Sequence, residues 1–257
     1  MPSGAADNAA ADNARAAIRR WQRPILIGLT VVIIGLTICF WLYGFLGPLA
    51  WQVRTDDLAV YTDATRRLLG GGSWYLDRQL HGAYDIMHGD VLYPPVTACF
   101  FALWLVLPDW SFVAAPIAVT VWAVRRMRPA LWTWPLLALC LAWPYVGLKV
   151  IRFNPNVWIT AAAATGLFYG WPGALILLKP SFLPFAAVGI RRRGWWIAVA
   201  ALALASLPFL AATLAYPSVI LDSRGGGLTY SLPDLPFVLL PLIAWLGRRR
   251  MDPSASP

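Results

Sequence analysis

Apolar positions in this chain fall in blocks, at 25–46, 96–107, 111–124, 130–148, 157–169, 172–190, 195–216 and 233–247, with short polar or basic stretches between them. Unbroken apolar blocks of this kind predict helices set in lipid, where crossing the hydrocarbon takes about 20 residues. The pattern therefore predicts an all-α, polytopic integral membrane protein with about eight hydrophobic helices, forming a single transmembrane domain over 25–247. The blocks 96–107 and 157–169 are short for a full crossing, so some of the eight are expected to be incomplete. Residues 1–24, Ala/Asn/Asp-rich and then basic, read as a disordered lead-in on the cytoplasmic side, and 248–257 as a cytoplasmic tail. The first block is too long for the core of a signal peptide and no small-residue cleavage site closes it, so an uncleaved anchor is expected.

The exception to the block pattern is 47–92, a polar stretch far longer than an ordinary connection. Within it Leu58, Tyr61, Thr65, Leu68 and Leu69 recur at helical spacing after Asp57, and Gly70-Gly71-Gly72 ends that periodicity. One or two short helices lying on the outer membrane surface are predicted here, with Trp74, Tyr75 and Tyr84 at the lipid–water boundary.

Composition sharpens the picture. The chain is 59% hydrophobic and 13% charged, half of the roughly 25% a soluble domain carries. The formal net charge of +9 does not point to nucleic acid, because the basic residues cluster at the ends of apolar blocks, where they set topology. Two arrangements compete. If every block crosses, twelve basic residues lie inside and eight outside; if 96–124 and 157–190 each cross once as broken helices, 125–128 moves inside and 149–152 outside, giving thirteen against seven. The second is mildly favoured. Both place 47–92 and 217–232 outside and both termini inside. Cys39, Cys99 and Cys140 stand in apolar blocks, and His81 and His88 are seven residues apart, which is no ligand pattern, so neither a disulfide framework nor a metal is expected. The triplets Gly70–Gly72 and Gly225–Gly227 lack the Lys-Ser/Thr ending of a phosphate loop and read as turns.

Four groups carry candidate chemistry. Asp56 and Asp57, adjacent carboxylates just beyond the first span, are suited to general-base work, or equally to an acidic solvated loop. Lys179 lies inside an apolar block, seven residues after Pro172 and so about 10 Å from its end at the helical rise; an intramembrane cation is a functional candidate by default, with snorkelling to the interface as the alternative. Lys149, Arg152, Asn154 and Asn156 form a compact cationic and amide patch that suits a phosphate, a sugar or a topology-setting turn. Tyr93-Pro94-Pro95 fixes an extended entry into a helix and places Tyr93 either at a cavity rim or at the interface.

With these residues in place, Asp57-Leu58-x-Val60-Tyr61-x-x-Ala64, Leu68-Leu69-x-Gly71, Trp74-Tyr75 and Tyr93-Pro94-Pro95 together resemble glycosyltransferase family 87. These are polyprenyl-phosphate-sugar-dependent membrane transferases of the GT-C superfamily, related to the mycobacterial phosphatidylinositol-mannoside mannosyltransferases. The stretch from Asn154 to Trp195, with Lys179-Pro180-x-x-x-Pro184, also looks like the family, although Phe153-Asn154-Pro155-Asn156 departs from its usual Gly-Gln-x-x-Asn-like segment. The likeness covers about 55–200, in a shortened form. It implies a multi-pass protein of the bacterial inner (plasma) membrane with its active site facing outside. It also implies an inverting transfer of a hexose, plausibly mannose, from a polyprenyl-phosphate donor to a hydroxyl of a glycolipid or polysaccharide acceptor. Asp57 is then the general base, Asp56, Tyr61, Tyr93, Lys179, Arg152, Asn154 and Asn156 are substrate-binding, and no cofactor or metal takes part. The alternative is a non-catalytic subunit that binds a polyprenyl lipid or assembles with a membrane partner in glycan synthesis. A lipid-linked-sugar transporter is a third class, for which no internal repeat speaks.

Overall fold

In the computed structural model, residues 4–46, 56–224 and 232–248 are described. They are mostly helical: α1 (Gly4–Leu46), α2 (Asp56–Leu69), α3 (Ser111–Met127), α4 (Trp134–Ala142), α5 (Pro144–Ile151), α6 (Asn156–Tyr169), α7 (Arg193–Ser206), α8 (Leu210–Asp222) and α9 (Leu235–Leu246). One parallel two-residue pair, β1 (Tyr84–Asp85) with β2 (Ser223–Arg224), joins the polar stretch to the end of α8.

The apolar blocks do not all become long helices. Among the described residues two helical stretches are long and apolar enough to cross a membrane, Trp21–Phe40 and Arg193–Asp222, each with mean hydropathy 2.2. A third is reached if Leu131–Ala142 and Pro144–Ile151, bent by 57°, form one span. The expectation of about eight membrane helices is thus corrected to two or three by length and composition. The reason is proline. A proline in the first turn opens Pro95–Thr97, α4, α5, Trp171–Leu178, Pro180–Ala187, Leu207–Phe209 and α9. Each lacks the N–H that would continue a preceding helix. At the bend, Trp143 is extended because Pro144 follows it.

Block 172–190 departs furthest. It is two 3-10 segments, Trp171–Leu178 and Pro180–Ala187, separated by Lys179 in extended conformation. The two arms pack back on each other so closely that a Cβ on Gly173 would sit 2.0 Å from the Val188 carbonyl oxygen, and one on Gly189 2.4 Å from the Gly170 Cα. Lys179 is therefore the tip of a hairpin and not a position along a helix.

Three further expectations are corrected. The lead-in is helical from Gly4 onward, as its alanine content favours. Helix α2 does not turn its apolar face to lipid: Leu58, Tyr61, Ala64 and Thr65 are buried against Pro95–Leu105, leaving Leu69 exposed. Trp74, Tyr75 and Tyr84 are buried rather than interfacial, their polar atoms donating to the Tyr93 carbonyl at 3.0 and 3.1 Å and to the Val219 carbonyl at 2.9 Å. The polar stretch is thus a small packed layer with its own aromatic core.

The body has two ends. At one, Arg126 donates to the Tyr169 hydroxyl, Arg192 packs on Gly170, and Pro129 bridges to Arg248. At the other lie Asp57, Lys149, Arg152, the β1–β2 pair and Asp234. Helix α3, the α4–α5 pair, α6, α7–α8 and α9 run alternately between them. Residues 125–128 therefore share an end with Arg192 and Arg248, and 149–152 share one with Asp57.

Candidate functional site

The site begins at the first turn of α2. The Asp57 N–H donates to the Arg152 carbonyl at 3.2 Å, which locks the start of α2 to the loop between α5 and α6. That loop turns sharply. Phe153 is buried with φ +55, a left-handed conformation costly for a bulky residue, and the Asn154 N–H reaches back to the Lys149 carbonyl at 2.9 Å. The turn throws the Asn154 side chain inward. Its Nδ2 donates to Asp57 Oδ2 at 2.5 Å, while its Oδ1 accepts from the Asn156 N–H at 3.0 Å. Pro155, which has no N–H to offer, then starts α6.

Asn156 continues the chain of bonds. It is fully buried, its Nδ2 donates to Asp234 Oδ2 at 2.7 Å, and its Oδ1 accepts from the Lys179 ammonium. Lys179 Nζ also lies 3.8 Å from Asp234 Oδ2. One hydrogen-bonded line thus joins α2, the start of α6, the tip of the 171–187 hairpin and the start of α9. Its members alternate between carboxylate, amide and ammonium, so that acceptors meet donors throughout.

In front of this line opens a cavity of about 350 Å³, at the lower end of the ~300–1,000 Å³ of small-molecule sites. Asp57, Asn154, Arg152, Lys149 and Lys179 line it, so one concave space holds three basic side chains and the Asp57 carboxylate, besides Asp90 on the rim, which is paired with Arg78. Tyr61 and Tyr93 form its aromatic wall. Tyr61 stacks on Phe101 at 4.6 Å between ring centres and meets Tyr93 edge-on at 5.1 Å. The Tyr93 hydroxyl is buried and has no hydrogen-bond partner among the described residues. Burial pushes its phenol well above the usual tyrosine range, so it remains a neutral donor. The opposite rim is Met87-His88-Gly89-Asp90. It is held rigidly, because Arg78 donates twice to Asp90 Oδ1, at 2.8 and 3.0 Å, and the Met87 N–H donates to Asp90 Oδ2 at 2.7 Å.

Tyr93 also borders a second, almost wholly apolar groove of about 520 Å³. It runs along α6 past Cys99, Phe100, Trp158 and Ala162 to Tyr169 and Trp171 at the basic end. A polar chamber and an apolar channel therefore meet at one side chain.

Of the residues singled out in the sequence, Asp57, Tyr61, Tyr93, Arg152, Asn154 and Lys179 share the cavity. Asn156 stands behind it as a brace. Asp56 is the first residue of α2, and its side chain lies outside the described residues, as does Gly225–Gly227. Sequence reasoning missed Asp234 and the Met87–Asp90 rim. Asp234 was legible as an acid at the second position of the last apolar block. Among the described residues no three His, Cys, Asp or Glu side chains gather as a metal site.

No family model, no curated protein and no solved structure matches this chain.

Proposed function

We propose that this chain is a membrane glycosyltransferase that moves a hexose from a polyprenyl-phosphate donor to a hydroxyl of a glycolipid or polysaccharide. One observation carries the reading: a cavity holding a carboxylate and basic side chains adjoins an apolar channel at Tyr93. A ligand with a phosphate, a sugar and an isoprenoid tail needs those two environments side by side. The resemblance to glycosyltransferase family 87 supports it through the same residues, Asp57, Tyr61 and Tyr93.

In this scheme Asp57 takes the proton from the acceptor hydroxyl as its oxygen attacks the anomeric carbon. The bond from that carbon to the phosphate oxygen breaks, and polyprenyl phosphate departs with the electron pair, leaving the sugar inverted. Asn154 fixes the Asp57 carboxylate by binding one of its oxygens, so the other faces the cavity. Lys179, Arg152 and Lys149 offset the charge that grows on the leaving phosphate. Tyr61 and Tyr93 offer faces for a sugar ring. Nothing in these steps calls on a cofactor.

The finer membrane arrangement belongs to the same proposal. In it 96–124 and 157–190 each cross once as broken helices, giving six crossings, α1, α3, α4–α5, α6, α7–α8 and α9, of which α1, α7–α8 and the bent α4–α5 pair meet the length and apolarity of a full span. Pro95–Leu105 and the 171–187 hairpin are then incomplete crossings at the outer and inner faces of a bacterial plasma membrane. Thirteen basic residues then face inside and seven outside, as the positive-inside rule favours. Irregular backbone at Lys179 is tolerable there because it lines a cavity.

The test is transfer in proteoliposomes supplied with polyprenyl-phosphate hexoses, mannose first. Asp57→Asn is expected to abolish transfer while leaving elution and thermal unfolding unchanged. Full transfer by that variant sinks the scheme. If the wild-type protein binds polyprenyl phosphate and turns over no donor, the second reading holds, a lipid-binding or assembly subunit. The engagement of Asp57 by Asn154 and of Lys179 by Asn156 inside the protein is the observation that favours that reading.

A further inference from the structure

We infer that Asp234 is a positioning residue for the phosphate site: it holds the Lys179 ammonium at the back of the cavity, charged and aimed forward. The inference rests on the phosphate-binding reading above.

Lys179 offers three N–H donors. One goes to Asn156 Oδ1 and a second faces Asp234 Oδ2 at 3.8 Å. The side chain is buried and yet lines the cavity, so its remaining donor is turned to whatever enters. The surroundings give the ammonium little else. The Phe182 ring lies 5.0 Å away and the Tyr93 ring 6.0 Å away. Lys149 at the end of α5 and Arg152 just beyond it face the same space and repel it, and Asp57 on α2, engaged by Asn154, faces it across the cavity. Asp234 is thus the counter-charge in reach. It is 2% exposed and does not line the cavity, so it acts through Lys179 and not on the ligand. Asn156 sets the geometry by donating to the same Asp234 oxygen that faces Lys179. The second oxygen, Oδ1, is buried with no hydrogen-bond partner among the described residues. This carboxylate is therefore not saturated, as one kept only to brace the fold is expected to be.

The consequence is that the last helix, through one residue at its start, completes a site otherwise built from α2, α5, α6 and the hairpin. Removing the carboxylate leaves a buried ammonium without compensation, which favours its neutral form and takes the charge from the site.

The test measures binding of farnesyl phosphate and of farnesol to the full chain in detergent. The wild-type protein is expected to prefer the phosphate by about tenfold or more, the scale of a charge-assisted contact. Asp234→Asn is expected to erase most of that preference while farnesol binding stays the same. In a Lys179→Met background, Asp234→Asn is expected to change nothing further. The inference is overturned if Asp234→Asn keeps the preference that Lys179→Met loses, or if the two losses add. A wild-type protein with no preference for the phosphate overturns the phosphate site itself, which is a different failure. If Asp234→Asn does not fold, the double variant decides: rescue of folding when both charges are removed supports the pairing, and failure of the double variant overturns it.

Discussion

Helix α6 meets arginines and polar groups at both ends, and the two ends are built differently. At Tyr169 the cations are outside. Arg126 lies over the rings of Phe168, Trp122 and Tyr169 at 5.0 to 5.9 Å and donates to the Tyr169 hydroxyl at 2.9 Å, with Arg126, Trp122 and Tyr169 exposed. At Asn156 the polar groups are inside. The amide is fully buried, each of its side-chain polar atoms has a partner, and the carboxylate and ammonium it joins, Asp234 and Lys179, come from two remote segments. A solvated guanidinium on an aromatic face loses little when the contact is lost, because water replaces it. A buried donor has no such substitute, so loss of one partner leaves the full desolvation penalty. The same class of residue therefore marks topology at one end and site architecture at the other.

The comparison can be broken at either end. Asn156→Leu is expected to do the most damage, since it strands Lys179 and Asp234 together: a loss of about 3 kcal/mol or more, seen as a lower midpoint of thermal unfolding in detergent. A midpoint within a degree of wild type would mean that the buried line contributes nothing to the fold. Asn154→Leu is expected to lower the transfer rate by about 100-fold through misplacement of the base, with the affinity for polyprenyl phosphate unchanged. Equal losses in rate and affinity would show that Asn154 contacts the lipid rather than orienting Asp57.

The apolar channel offers a probe of its own. With Cys39 and Cys140 replaced by alanine, Cys99 is the remaining thiol, and it is exposed on the channel wall. Polyprenyl phosphate is expected to slow its alkylation several-fold, while a short-chain phosphate is not. Equal rates with and without the lipid place the tail elsewhere. At the other end of α6, Arg126→Ala is expected to cost only about 0.5–1 kcal/mol and to leave transfer as it was. A loss of transfer there would mean that the two ends are coupled through the helix.

Much of the site was legible because membrane solvation is unforgiving. A lysine amid apolar residues and a patch of two amides and two cations between apolar blocks stand out in any reading that asks where polar groups go in lipid. Asp57, Lys179 and the patch at 149–156 were singled out from the sequence, and the start and stop of α2 lie close to those its spacing and Gly70–Gly72 predict. The number of long helices was less legible. Apolar content alone does not say where a backbone without an N–H must turn, and the prolines at 95, 144, 172 and 180 divide blocks that hydropathy reads as continuous. The burial of Trp74, Tyr75 and Tyr84 was likewise hidden, because an aromatic in a polar stretch fits an interface and a small core equally well.

By itself the sequence determined the helical class, two segments long and apolar enough to cross a membrane, the basic clusters at block ends and most of the polar residues that line the cavity. These follow from local quantities, namely hydropathy, spacing and charge at block ends. Only the tertiary structure decided that Lys179 is a hairpin tip, that Asn156 supports the cavity from behind, and that Asp234, 55 positions beyond Lys179, is its counter-charge. Those facts depend on which backbones approach within hydrogen-bonding distance. That is set by glycines such as Gly173 and Gly189 packing arm on arm, and no property of a single stretch encodes it.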